Sequence, residues 1–137
     1  MVRRMPNGPR WKRAALLWLP VIGWAALIFL LSAQSDLHFS TDPSIDWPLR
    51  KAAHLTIFGI FAIVIERALT GNGVERALFI GFVVAGLFAA SDELHQAFVA
   101  DRSPMVTDVL IDLVGVAVGL LIWQRFLAPR FVRGSRE

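Results

Sequence analysis

Residues 14–33 read AALLWLPVIGWAALIFLLSA, twenty residues without a single charge. As a helix at 1.5 Å per residue this run is about 30 Å long, the hydrocarbon thickness of a bilayer. Pro20 and Gly23 fit that reading, because helix breakers are commoner in membrane helices than in soluble ones. The run is too long for the ~7–15-residue apolar core of a secretory signal peptide. Ala33-x-Ser35 is therefore not taken as a cleavage site.

Outward from this run, three more apolar stretches follow at about 48–65, 77–91 and 105–127. Polar or glycine-containing connectors separate them at 34–47, 66–75 and 92–104. The second and third reach spanning length only if their helices continue through charged residues. The 137 residues are 55% hydrophobic and 18% charged, with a mean hydropathy of +0.56. A soluble domain carries about 25% charged residues. Such hydrophobicity excludes a disordered chain, and the absence of cysteine excludes disulfides and thiolate metal sites. The sequence thus predicts an all-α membrane protein, a four-transmembrane-helix bundle over 14–127. Basic tails flank it at 1–13 and 128–137.

Charge sets the expected orientation. With the N-terminus inside, 11 of the 14 arginines and lysines fall on the inner side. Only Arg50, Lys51 and Arg102 fall outside. The positive-inside rule then places both termini in the cytoplasm. His38, His54, His95 and eight of the acidic residues lie in the outer half. The basic face is an orientation signal, so no nucleic-acid partner is expected. Asp36, Asp42 and Asp46 read as ordinary charges of the first outer loop, and Glu66 as a charge on the inner side. Trp11, Trp18 and Trp47 read as interfacial anchors, Trp24 and Trp123 as packing or lipid-facing residues.

The remaining polar residues form a pattern. The second helix is expected to begin around Lys51, which puts His54 three residues on and on the same face. Asp92, Glu93 and Gln96 share one side of the third helix. On the fourth, Asp108, Asp112, Gly115 and Gly119 form a single stripe, in which the glycines let another backbone approach. A charge at the centre of a membrane helix costs ~2.5–3.5 kcal/mol. These carboxylates should therefore face Lys51, Arg102 and the histidines in one outward-facing cleft. His54, Asp92, Glu93 and Asp108 are candidate acid–base catalysts, and Lys51, Gln96 and Arg102 candidate binding residues. His54, Asp92, Glu93, His95, Asp108 and Asp112 are acceptable metal ligands, but no pair has a diagnostic spacing. No metal and no cofactor are assigned.

Ser32-Ala33-Gln34-Ser35, Lys51-x-x-His54, Ser91-Asp92-Glu93-x-x-Gln96-x-Phe98-x-x-x-Arg102 and Asp108-x-x-x-Asp112-x-x-Gly115 together carry a resemblance. Over about residues 20–122 the chain resembles the VanZ-like family of small bacterial membrane proteins. It departs from that family at Ala100-Asp101, where Pro-Gly is usual, and at Asp112, where Asn is usual. The resemblance implies a multi-pass protein of the bacterial inner (cytoplasmic) membrane. It also implies a link to susceptibility to the glycopeptide teicoplanin.

Three functions remain open on the sequence. The polar site acts on or binds an envelope lipid or a lipid-linked cell-wall intermediate at the outer leaflet. Alternatively the chain is a non-catalytic membrane scaffold or modulator whose polar cluster is structural. Least favoured is an ion- or proton-coupled transporter, since four helices show no inverted repeat and a pore would need a homo-oligomer. No Gly-x-Ser-x-Gly elbow, His-Glu-x-x-His pair or phosphate-binding glycine loop is present.

Overall fold

The computed structural model describes residues 9–35, 38–100 and 102–134. The readings of Asp36, Asp101 and the terminal Arg3, Arg4 and Arg136 lie outside them. Four helices form the bundle: α1 (Arg10–Ser32), α2 (Pro43–Gly71), α3 (Ala77–Gln96) and α4 (Val106–Ile122). The fourth passes into a π-helical stretch, Trp123–Leu127, and then α5, Ala128–Gly134. Each of the four is long and apolar enough to cross a membrane, and no strand occurs among the described residues.

The second helix differs from its expected start. It begins at Pro43, eight residues before Lys51, because Asp42-Pro43 is a strong helix-start pair. The Asp42 carboxylate accepts from the Ser44 N–H at 2.9 Å and the Ser44 hydroxyl at 2.7 Å. Proline at the first helical position forfeits no intrahelical bond. Those two bonds also hold the exposed Asp42 carboxyl below the usual carboxylate range. At 29 residues α2 is about 43 Å long, so its ends project beyond a ~30 Å hydrocarbon layer.

The bundle closes through small residues. The α2–α4 interface is the most extensive, and the glycine stripe of α4 faces it. A Cβ on Gly115 would collide with the carbonyl of Leu55, and one on Gly119 with that of Gly59. Gly59 reciprocates, its missing Cβ position lying 3.1 Å from the Gly115 oxygen. On α3 the inward face is Gly81, Ala85 and Ala89, all buried. Phe58, Ile65 and Val116 fill the centre between the helices. From α1, the Trp24 indole donates to the Ile57 carbonyl at 2.9 Å, tying the first helix to the second. Trp123 is a packing residue, buried with its ring 5.5 Å from that of Phe131.

Candidate functional site

Neighbouring helices that alternate in direction bring four termini to one end of the bundle. These are the C-terminus of α1 with Ser32, the N-terminal half of α2 with Lys51 and His54, the C-terminus of α3 with Asp92, Glu93 and Gln96, and the N-terminus of α4 with Asp108 and Asp112. Every candidate residue except Arg102 thus reaches the same end from a helix. Arg102 reaches it from the α3–α4 connector, donating from Nε and a terminal guanidinium nitrogen to the Gln34 carbonyl at 3.2 and 2.8 Å.

The carboxylates do not share one set of partners. Lys51 Nζ pairs with Asp108 Oδ1, both side chains being mostly buried. His54 Nδ1 lies 3.1 Å from Asp112 Oδ1. A carboxylate only accepts, so the network assigns the proton to Nδ1. Asp92 Oδ2 accepts from the Ser32 hydroxyl at 2.8 Å and the Gln96 amide at 3.1 Å. Glu93 Oε1 accepts from the Met105 backbone N–H at 2.6 Å. Met105 precedes α4 and supplies no side-chain cap. Glu93 therefore satisfies from α3 a donor at the helix start, where a negative charge is also favoured by the dipole. The end of the bundle is thus one polar cluster made of four separate pairings.

A cavity of about 520 Å³ opens beside this cluster. Its apolar wall includes Ile28, Leu31, Ile57 and Phe58, and its polar wall holds Ser32, Arg50, His54, Asp92, Gln96 and Arg102. Volume and lining are those of a small-molecule or lipid-headgroup site. Of the residues singled out by spacing, His54, Asp92, Gln96 and Arg102 line it, whereas Lys51, Glu93 and Asp108 do not. Asp92 is 4% exposed, and its Oδ1 is buried without a hydrogen-bond partner. Ala52 and Thr56, also in the lining, are exposed on the outer face of α2, so the cavity opens sideways out of the bundle.

Sequence reasoning missed three residues at this end of the bundle and misread a fourth at the other end. Ser32 holds Asp92, and Arg50 lines both this cavity and a larger bowl of about 920 Å³ formed with Phe39, Thr41, Pro43 and Trp47. Asp46 is not a solvated loop charge. It is 4% exposed and gathers the Phe39 N–H at 2.7 Å, the Ser40 N–H at 3.3 Å, His38 Nδ1 at 3.3 Å and Arg50 Nε at 3.1 Å. Its i,i+4 spacing to Arg50 was the available signal. Glu66 is not a surface charge either. It is 2% exposed within α2, accepts from Thr70 at 3.1 Å, and packs its other oxygen against Gly81. His95 stacks on Phe29, with centroids 4.1 Å apart, and lies outside the cavity. Among the described residues, no group of three or more His, Asp or Glu is placed to hold a metal ion.

Comparison with known proteins identifies a family. The model of the VanZ/LLP1 family matches residues 17–128, which is most of the chain and includes every residue of the site. No curated protein and no solved structure matches it.

Proposed function

The chain belongs to the VanZ/LLP1 family, and from that premise we propose that its cavity takes the polar end of an envelope lipid or a lipid-linked cell-wall intermediate. The protein sits in the bacterial cytoplasmic membrane with both termini inside, so the cavity faces the outer leaflet, and its occupancy lowers glycopeptide susceptibility. One observation carries the reading. A buried carboxylate with an unpartnered oxygen, Asp92, shares a sideways-opening cavity with two arginines and an apolar wall. A bilayer amphiphile reaches such a cavity without leaving the membrane. Apolar contact and a few placed polar groups are what lipid and small-molecule sites combine.

Binding is favoured over chemistry by the fate of the carboxylates. Glu93 and Asp108 stand outside the cavity, where Glu93 holds the Met105 N–H through Oε1 and keeps Oε2 buried and unbonded, and Asp108 pairs with Lys51. A second reading rests on His54: an imidazole held by Asp112 in one tautomer and lining a cavity is the arrangement of a general base. The test is the teicoplanin susceptibility of a sensitive host expressing the protein, alongside an immunoblot of the membrane fraction. The wild type is expected to raise the inhibitory concentration, and Asp92→Asn and His54→Ala to abolish that rise at undiminished abundance. Full protection by both variants would show that the cavity is not the working site.

A further inference from the structure

The charges lining the cavity do not all have counterparts among the described residues, and the two left over have opposite signs. Arg50 is met by Asp46 at 3.1 Å. His54 is met by Asp112. Arg102 spends two of its donors on the uncharged Gln34 carbonyl, and no carboxylate among the described residues lies within ion-pair distance of it. Asp92 accepts only from neutral donors, Ser32 and Gln96, and keeps Oδ1 buried and unbonded. One guanidinium and one carboxylate, each without a charged counterpart among the described residues, therefore line a single cavity beside an apolar wall.

We infer that this cavity is a site for a zwitterionic phospholipid headgroup, the phosphate held by Arg102 and a primary ammonium by Asp92 Oδ1. This rests on the reading of the cavity as a lipid site and names the class of lipid. Guanidinium is the side chain suited to bidentate phosphate contact. A primary ammonium has three N–H donors, of which a buried carboxylate oxygen can take one or more. A quaternary ammonium has the same charge and no N–H. A glycerol headgroup has donors and no positive charge. Leaving Asp92 opposite either would keep a buried acceptor or a buried charge uncompensated, which is costly in low dielectric. The chains of the lipid lie along Ile28, Leu31 and Ile57, toward the opening between α1 and α2.

The test uses the full chain in detergent, stripped of lipid and titrated with phosphatidylethanolamine, phosphatidylcholine and phosphatidylglycerol of identical acyl chains, with bound lipid read by native mass spectrometry. Phosphatidylethanolamine is expected to bind about tenfold more tightly than the other two, the size of one charge-assisted hydrogen bond. Asp92→Asn should bring it to the level of phosphatidylcholine. Arg102→Gln should weaken all three, and Ala53→Trp, which fills the cavity, should remove specific binding altogether. Glycerophosphoethanolamine, the same headgroup without chains, should bind far more weakly. Binding of it as tight as that of the lipid would overturn a membrane source for the ligand. Equal affinities in the wild type, or a preference for phosphatidylglycerol, would overturn the headgroup assignment and leave the lipid cavity standing. Lipid binding unaffected by Ala53→Trp would overturn both. The wild-type comparison decides the headgroup even if Asp92→Asn fails to accumulate.

Discussion

Asp108 and Asp112 stand one helical turn apart, a spacing at which like charges destabilise a helix. The structure answers this by giving each its own partner, Lys51 for the first and His54 for the second. Asp112→Asn keeps an acceptor for His54 Nδ1, so it should retain function and abundance. Asp112→Ala leaves the imidazole without its partner at a site 1% exposed, and should cost ~1–3 kcal/mol of stability together with function. Thermal melting of the purified variants beside the susceptibility assay separates the two. Glu66 makes the complementary case. Its apolar run ends at Ile65, so spacing alone set it outside the membrane, yet the helix carries on to Gly71 and draws it inward. With no cation paired to it among the described residues and one oxygen unbonded, Glu66→Gln should leave the melting temperature unchanged or raise it. A fall of several degrees would mean that the charge itself is needed there.

The α4 stripe was legible in the sequence because the offsets 0, 4, 7 and 11 define one face whatever the neighbour is. Which helix that face meets was not legible, since Gly115 and Gly119 announce close approach without naming the partner. In the structure the partner is α2, whose own Gly59 stands opposite. Gly119→Ala should force α2 and α4 apart at a buried crossing and cost ~1–3 kcal/mol or more. Gly23→Ala, at a position where a Cβ meets nothing within 4 Å, should be neutral or stabilising by up to ~1 kcal/mol. Unfolding in mixed micelles gives both numbers, and equal effects at the two sites would contradict the packing. The start of α2 was misread for a different reason. Hydropathy marks where a helix enters lipid, whereas Asp42 and Pro43 mark where it begins.

At the scale of the whole molecule, the sequence disclosed four spans and the end of the bundle at which the polar residues gather. It did not disclose how those residues divide. Glu93 and Asp92 are adjacent in one motif, yet one caps α4 and the other lines the cavity, a split set by side-chain pairing between helices that spacing within one helix cannot show. Orientation is testable directly because the chain has no cysteine. Thr41→Cys and Glu75→Cys both lie at exposed positions in opposite connectors. On intact cells an impermeant thiol reagent should label the first and spare the second, and the reverse would invert the protein in the membrane.

The central claim is that the cavity walled by His54, Asp92 and Arg102 holds a membrane lipid. An experimental structure of the full chain in nanodiscs of mixed bacterial phospholipid tests it most directly. The account predicts headgroup density within hydrogen-bond distance of Arg102 and Asp92, with an acyl chain running along Ile28 and Ile57 into the bilayer. A cavity closed by side chains, or filled by water alone with lipid confined to the outer surface of the bundle, would contradict it.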